Sequence, residues 1–544
     1  MGFFRVFMRG FVYSLVVACA MLMSAYVAEA QDTKPRLVVN IVVGAMRADD
    51  LERYADGFGE GGFKRLMREG VVFTDANYDY ALTSTEAGLA TLSTGAQPSV
   101  HGVIGSSWWS HVDGSRQELI ADKKSQPVPY STGTIACSAH RLSAPTLGDM
   151  VLESDILSRQ ITVAIEPSSA IILNGKRGVA YWVERNKTYW TTSMAYLNKL
   201  PFWVDYYNTH NMNNLYRLRR WTPVGSIVNY RNSEVAVVEG IKGKTTKLVS
   251  GIDLSLDDTA YGMMCYTPAG NTMLLEFAKQ AVVQGGLGDD DATDVLNICL
   301  DASRYIAMTY GPESIEYEDM LYRLDLDLAK FMADVYQHVG NQRDVVVVLT
   351  ADHGTSPSYN RQGGEARERF NTRQMEVIVN AFLGARYGSG NYILGFENKA
   401  IYLDHELLNS KRLEIALIQE EVATFLLQLR GISTAISATA LRNTSFSGGR
   451  QHLMQQSFHA TRAGDVIVDF LPGWIIEDSA YRSSSDAGYR YDSNVPLIIS
   501  GAGVAPKRVE RRVSIVEVAP TLAKILGVEC PWASSARPMV EMNN

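Results

Sequence analysis

The chain has 544 residues, of which 46% are hydrophobic and 20% are charged, a composition that is ordinary for a globular protein. Its formal net charge is −8. This charge argues against a nucleic-acid partner, because binding to a phosphate backbone needs clustered lysine and arginine.

The first thirty residues have the pattern of an export signal. Two arginines and an apolar run precede the small-x-small sequence AEA, which ends at Ala30. We therefore expect residues 1–30 to be a cleaved signal peptide, with no transmembrane segment in the mature chain. An uncleaved N-terminal anchor and a lipoprotein site at Cys19 are the alternatives. The expected location is the periplasm or outer cell surface of a Gram-negative bacterium.

Four cysteines follow this segment, at positions 137, 265, 299 and 530. No two of them have the CxxC spacing, so a zinc site made of cysteines is not expected. Export permits disulfides, and four cysteines allow three pairings. Isolated buried thiols are an equal alternative.

Continuous apolar runs are typical of strands that are buried on both faces of a parallel sheet. Such runs predict strands at 36–43, 296–300, 344–349, 465–470 and 496–500. Helical patterns lie between them at 62–69, 86–94, 270–284, 314–339 and 412–429. The alternation predicts an α/β sandwich, with a central mostly parallel sheet flanked by helices. Ligands bind such sheets beyond the carboxyl ends of the strands.

An aromatic-rich segment interrupts this pattern. Between Tyr181 and Trp221 the chain contains Tyr181, Trp182, Tyr189, Trp190, Tyr196, Phe202, Trp203, Tyr206, Tyr207, Tyr216 and Trp221. We interpret this segment as an inserted cap subdomain over about 175–260. The aromatic side chains would pack the cap or form a platform for a ligand.

A carboxylate and an imidazole stand side by side directly after a predicted strand, in Thr350-Ala351-Asp352-His353-Gly354. Such a pair at a strand end is suited to bind metal, and it is equally suited to a simple loop contact.

This motif is one of several that occur in order along the chain. RLVVNIVVGAMRADDL, LTSTEAGLATLSTGAQPSVHGVIG and TADHG, followed by GYRYDSNVPLIISGAGV, resemble the alkaline phosphatase superfamily. Within it, the chain is similar to the type I phosphodiesterases and nucleotide pyrophosphatases, in the branch of the exported phosphate-monoester phosphatases. The resemblance implies one alkaline phosphatase-like domain over 31–544. It also implies a site with two zinc ions flanking a threonine or serine nucleophile.

The resemblance places only three of the family's site residues on matching side chains here. Thr85 takes the position of the nucleophile, and Asp352 and His353 take positions of ligands to the first zinc. Positions of other zinc ligands are occupied by Gly44, Arg304, Met308 and Ser485.

The phosphate-binding positions differ as well. The family's asparagine is replaced by Ser106, and the lysine and arginine on the cap side are replaced by Glu166 and Ser168. A carboxylate at contact distance would repel a phosphate by about 1 to 4 kcal/mol.

The sequence therefore predicts a degenerate member of the superfamily, a pseudoenzyme with a binding or regulatory role in the cell envelope. Its partner, a protein or a small molecule, is unknown. No cofactor is expected. The alternative is a divergent phosphate mono- or diester hydrolase that uses Thr85 with one weakly bound zinc, to which Asp49 and a shifted Asp301 are further candidate ligands. Alternatively, Thr85 has only a structural role, as an N-cap at a helix start.

Arg304 has two possible roles. Its guanidinium would fill the volume of the missing zinc beside Asp352, or it would point to solvent above a collapsed pocket.

Overall fold

The structure is a computed structural model, and it describes most of the chain after residue 33. The described residues are 34–128, 135–184, 189–210, 212–217, 220–232, 238–239, 245–246, 252–253, 264, 267–358, 369–476, 481–485, 487–501 and 504–542. The predicted signal peptide, Cys19 and Cys265 lie outside them. Within these ranges, no helix is both long and apolar enough to cross a bilayer.

The strands alternate with helices along the chain. In chain order, β1 to β22 are Leu37–Val43, Gly70–Asn77, Ser107–Trp109, Arg116–Glu118, Gln160–Ala164, Val179–Glu184, Tyr189–Thr191, Arg220–Trp221, Val238–Glu239, Thr245–Thr246, Ile252–Asp253, Asp294–Leu300, Val345–Thr350, Arg369–Phe370, Ile393–Glu397, Ala400–Leu403, Ile432–Ser437, Val466–Phe470, Ile475–Ile476, Asn494–Gly501, Lys507–Val509 and Val513–Ser514.

The α-helices of the described residues are numbered in the same way. In chain order, α1 to α18 are Asp50–Arg53, Phe63–Glu69, Thr85–Thr94, Pro98–His101, Leu147–Ser154, Pro167–Asn174, Phe202–Thr209, Asn214–Arg217, Pro268–Gly285, Asp301–Tyr310, Ile315–Val339, Thr372–Tyr387, His405–Ser410, Ile415–Leu426, Ala438–Asn443, Gly449–Ser457, Arg490–Ser493 and Val518–Leu526. Short 3-10 helices cover Ala55–Gly57, Ile227–Asn229, Gln342–Asp344, Ile515–Glu517 and Val540–Met542.

A ten-stranded sheet forms the centre of the fold, in the order β21-β2-β20-β13-β1-β12-β5-β6-β7, with β22 beside β2. The strands β13, β1, β12, β5 and β6 are parallel to one another, whereas β20 and β7 run antiparallel to their neighbours. Every residue of β12 and β13 is buried. This burial explains their continuous apolar sequences and confirms the predicted α/β sandwich.

A second, four-stranded sheet has the order β15-β16-β18-β17 and is antiparallel throughout. It contains the strand predicted at 465–470, which is therefore not part of the central sheet. The helix predicted at 412–429, observed as Ile415–Leu426, buries Ile418 and Val422 in the same small core as Val466 and Val468. A short apolar run shows that a strand is buried, but it does not show in which sheet.

The aromatic segment packs around one side chain of α9, Phe277. The Trp190 ring stacks on it at 3.8 Å between centroids, and the rings of Tyr181, Trp203 and Tyr207 surround it at 5.1 to 5.7 Å. These contacts favour internal packing over a ligand platform. The bounds of the cap stay a prediction, because most of 233–266 lies outside the described residues.

The described cysteines are separate thiols. Cys137 and Cys299 are buried and Cys530 is exposed, each without a disulfide partner. Burial raises the pKa of the Cys137 thiol to about 12, so the side chain is an unreactive apolar group at neutral pH.

Candidate active site

The candidate site lies where three neighbouring parallel strands end. Val43 of β1 is paired with Leu300 of β12, and Val42 is paired with Thr350 of β13. The residues that follow these strands therefore meet at one edge of the sheet. They are Gly44, the start of α10 at Asp301, and Asp352 with His353.

Asp352, His353 and Thr85 form one buried cluster at this edge. The Thr85 hydroxyl lies 3.1 Å from Nε2 of His353, and Nε2 lies 3.5 Å from Oδ2 of Asp352. Oδ1 of Asp352 accepts hydrogen bonds from the backbone N–H groups of Ala45 and His353, at 2.8 and 2.9 Å. The structure thus brings together the three site residues that the sequence retains.

The hydroxyl of Thr85 does not cap its helix. The N-cap of α3 is Ser84, whose side chain accepts a hydrogen bond from the backbone of Ala87. Thr85 is the first helical residue and is 4% exposed, with its hydroxyl directed at His353. The N-cap interpretation of Thr85 is therefore wrong, and its side chain is positioned for the site.

His353 has a defined tautomer in this arrangement. Its Nδ1 lies 2.5 Å from the carbonyl oxygen of Gly354, which can only accept a hydrogen bond, so Nδ1 carries the proton. In the neutral ring the Nε2 lone pair then faces the Thr85 hydroxyl. This lone pair can accept the hydroxyl proton or bind a metal.

One atom of the cluster is orphaned. Oδ2 of Asp352 is buried and accepts no hydrogen bond from any of the described residues. Such an atom is costly to bury, and a cation would satisfy it. The separations of 3.1 and 3.5 Å within the cluster are close to those between neighbouring ligands of a tetrahedral zinc with bonds of about 2.0 to 2.1 Å. The cluster therefore fits one metal, with Asp352, His353 and the Thr85 hydroxyl as ligands.

Gly44, a position that the resemblance assigns to a zinc ligand, has no room for a side chain. A Cβ atom built on Gly44 would lie 2.8 Å from Cβ of Arg304 and 3.1 Å from the carbonyl oxygen of Leu300. Helix α10 thus approaches the end of β1 too closely for any side chain at position 44. An aspartate ligand cannot be accommodated there unless the start of α10 moves.

Arg304 does not point to solvent, so the second of the two roles expected for it is wrong. No hydrogen bond in the described part of the chain joins it to Asp352, and its side chain is only 19% exposed. Its guanidinium lies 4.9 Å from the centroid of the Tyr305 ring and 3.8 Å from Oδ1 of Asp301. Its positive charge therefore acts on both Asp301 and Asp352.

The carboxylate of Asp301 is fully engaged. It accepts hydrogen bonds from the backbone N–H groups of Ile165 and Glu166 at 2.9 and 3.0 Å, and from the hydroxyl of Ser169 at 2.7 Å. Burial raises the pKa of Asp301 to about 6, and the charge of Arg304 opposes that rise. These contacts join Asp301, at the start of α10, to the residues after β5 and to α6. Asp49 is exposed and is not part of the cluster.

Two further positions that the resemblance assigns to zinc ligands, Met308 and Ser485, lie on segments that contact each other. The backbone carbonyl of Met308 accepts hydrogen bonds from the N–H groups of Arg482 and Ser483. Ser485 lies two residues after Ser483 and is partly buried. Neither methionine nor serine is a usual zinc ligand, so this half of the site does not fit a metal.

The positions that bind phosphate in the family make internal contacts. Glu166 accepts a short hydrogen bond from the hydroxyl of Tyr305. The hydroxyl of Ser168 lies 3.2 Å from Oε1 of Glu86. Ser106 is exposed at the start of the β3–β4 hairpin. The cap side therefore presents an acidic hydrogen-bonded network instead of cations.

The sequence did not reveal a third group of possible metal ligands. His111, His405 and Asp465 come together, with one ligand atom of each within 4.8 Å of the others. They are far apart in the chain and share no motif, so only the fold reveals them.

Comparison with known proteins agrees with the fold and the motifs. A sequence model of the type I phosphodiesterase / nucleotide pyrophosphatase family matches residues 38–490. Alkaline phosphatase PafA of Elizabethkingia meningoseptica is 29% identical over 517 residues, which cover 94% of each chain. Alkaline phosphatase PhoV of Synechococcus elongatus is 27% identical, over 94% of this chain and 93% of its own. A crystal structure of wild-type PafA superposes with a TM-score of 0.88, at 28% identity, over 94% of this chain and 99% of that one.

These relatives overturn one expectation from the sequence, that no cofactor is bound. Alkaline phosphatases are metal-dependent enzymes, and the structure contains the His111, His405 and Asp465 group in addition to the buried Asp352–His353 pair. The alternative of one weakly bound zinc agrees with these findings. Taken together, the matched sequence and the shared fold show that the chain belongs to the type I phosphodiesterase / nucleotide pyrophosphatase family, within the alkaline phosphatase superfamily.

Proposed function

We propose that this protein is an exported binding or regulatory member of its family that has lost two-metal hydrolysis of phosphate esters. The observation that carries the proposal is the contact between Gly44 and Arg304. A ligand side chain at position 44 would collide with Cβ of Arg304 at 2.8 Å. The loss is therefore built into the backbone and is more than a change of one side chain.

The chemistry of the second half of the site supports the same proposal. Two-metal phosphatases use one metal beside the nucleophile and the other beside the leaving group. Arg304, Met308 and Ser485 supply none of the histidine or carboxylate ligands that a second metal needs. With Glu166 in place of a cation, a phosphate dianion would meet negative charge where the family supplies positive charge.

A second candidate function, a divergent phosphate-ester hydrolase, is favoured by the cluster of Thr85, His353 and Asp352. The 3.1 Å contact between the Thr85 hydroxyl and Nε2 of His353 is the contact of a nucleophile with a base. With a metal on Asp352 and His353, the Thr85 hydroxyl would lose its proton more readily. The charge of Arg304, which acts on Asp352, could stabilise a developing negative charge.

The decisive experiment is to assay p-nitrophenyl phosphate and bis-p-nitrophenyl phosphate with the purified protein and its Thr85→Ala variant, with zinc added. The binding role predicts equal, background rates for the two proteins. Turnover by the wild type that falls at least about 100-fold in Thr85→Ala would establish the hydrolase instead. Thr83→Ala is a control variant, because it removes a neighbouring buried threonine whose hydroxyl bonds the backbone of Gly488.

The location and partner belong to the same proposal. The signal-like first thirty residues support export to the periplasm or outer surface of a Gram-negative bacterium. The net charge of −8 supports a protein or small-molecule partner over nucleic acid.

A further inference from the structure

We propose that His111, His405 and Asp465 form a zinc site that fastens the β3–β4 hairpin to the second sheet. His111 lies in the turn of the hairpin, between Trp109 and Arg116. His405 is the first residue of α13, just after β16, and Asp465 immediately precedes β18. Three separate elements thus each contribute one residue.

The tautomer of His111 is suited to metal binding. Its Nε2 lies 2.8 Å from the carbonyl oxygen of Ala463, which accepts a hydrogen bond and cannot donate one. Nε2 therefore carries the proton, and Nδ1 presents its lone pair 3.8 Å from Oδ2 of Asp465. A backbone carbonyl on the remote nitrogen is the outer-shell contact that orients histidine ligands in metal proteins.

Asp465 is held in a fixed orientation by the second sheet and by α14. The N–H of Leu403 donates to Oδ2 at 2.8 Å, and Nε2 of Gln419 donates to Oδ1 at 2.7 Å. The side chain is only 1% exposed. Each carboxylate oxygen has a further lone pair, and these lone pairs face the two histidines.

His405 completes the group. Its Nε2 lies 2.8 Å from Oδ1 of Asp465, and its ring stacks on that of His111 with centroids 4.8 Å apart. When a metal binds, it would take the place of the proton that His405 and Asp465 share, and that proton would be released to solvent. Because Zn²⁺ is not redox-active, its binding involves only this exchange of a proton for a metal ion.

The donor set indicates the metal. Two imidazole nitrogens and one carboxylate oxygen are ligands that Zn²⁺ prefers. His111 and His405 are 18% and 22% exposed, so one side of the group is open and a water can supply the fourth ligand. The group has no residue in common with the Thr85, Asp352 and His353 cluster, and the proposal does not depend on the proposed function.

The test is zinc binding by the purified protein, without an affinity tag, after dialysis against micromolar zinc. We expect the wild type to bind about one equivalent of zinc at this site. Asp352→Asn should keep this binding, whereas His111→Gln should bind zinc at least tenfold more weakly. His111 is the residue to change because it lies in a partly exposed turn and its loss leaves the His405–Asp465 pair intact. Cobalt in place of zinc should give the visible absorption of a tetrahedral site in the wild type but not in His111→Gln.

His452→Gln is the matched control, because His452 is also partly buried and bonded to a carbonyl, that of Phe446. It should bind as much zinc as the wild type. Zinc that is retained in His111→Gln but lost in Asp352→Asn would overturn the proposal, and so would a wild type that binds no zinc. Either result would leave His405 and Asp465 as a simple hydrogen-bonded pair.

Discussion

The two halves of the candidate site differ in the ligand atoms that they offer a metal. After β13, Asp352 and His353 keep their ligand atoms and face the Thr85 hydroxyl at 3.1 Å. After β12, the same sheet edge carries Arg304 and Met308, and helix α10 lies close against Gly44. The fold is intact around both halves because the fully buried strands stabilise it independently of any metal. Ligands can therefore be lost without loss of the fold.

The strongest test of this difference is to introduce ligand side chains into the half of the site that lacks them. The quadruple variant Gly44→Asp, Arg304→Asp, Met308→His and Ser485→His should bind zinc at least about 100-fold more tightly than the wild type, because it supplies four more ligands. Affinity can be measured by competition with a chromophoric chelator. A folded quadruple variant with unchanged zinc affinity would mean that α10 keeps position 44 closed if Gly44→Ala is destabilised, and that the residue mapping is wrong if Gly44→Ala is as stable as the wild type.

Gly44→Ala is the steric control for that variant. It adds only the Cβ atom that would lie 2.8 Å from Cβ of Arg304, and every residue except glycine at position 304 keeps that contact. We expect it to lower the free energy of unfolding by about 1 to 3 kcal/mol. No loss of stability would show that α10 adjusts freely and that the site is less closed than the structure indicates.

A smaller effect is expected from the charge interaction between Arg304 and Asp301. Burial raises the pKa of Asp301 to about 6, and Arg304 opposes the rise. Between pH of about 4 and 6 the folded protein holds a proton that the unfolded chain has released, so the contribution of Asp301 to stability falls as pH rises. Arg304→Met should raise the pKa further and extend that fall above pH 6.

The measurement is urea unfolding of the wild type and Arg304→Met at pH 5 and pH 8. We expect the variant to be less stable by about 1 kcal/mol more at pH 8 than at pH 5. Adding Asp301→Asn should abolish this difference. An equal loss of stability at both pH values would show that Arg304 acts through packing and not through its charge on Asp301.

The smallest effect concerns the retained half. Thr85→Val removes the hydroxyl but keeps the volume, which leaves Nε2 of His353 without its 3.1 Å partner. The free energy of unfolding should fall by about 1 kcal/mol. Thr85→Ser, which keeps the hydroxyl, should lose less, and urea unfolding measures both. If Thr85→Val is as stable as the wild type, the contact does not stabilise the fold.

The sequence determined the central sheet and the retained half of the site. The strands β1, β12 and β13 are continuous apolar runs, since both faces of each strand are buried, and this pattern is local. Asp352 and His353 could be identified because they follow such a strand directly, where α/β folds bind ligands. The absence of ligand side chains at Gly44, Arg304, Met308 and Ser485, positions that the resemblance assigns to zinc ligands, was also visible in the sequence.

Only the tertiary structure decided how the pieces meet. The second sheet, the direction of the Arg304 guanidinium and the approach of α10 to Gly44 depend on contacts between segments far apart in the chain. The same is true of His111, His405 and Asp465, which no spacing rule connects. Local patterns report burial and strand period, whereas ligand geometry depends on where remote backbones come together.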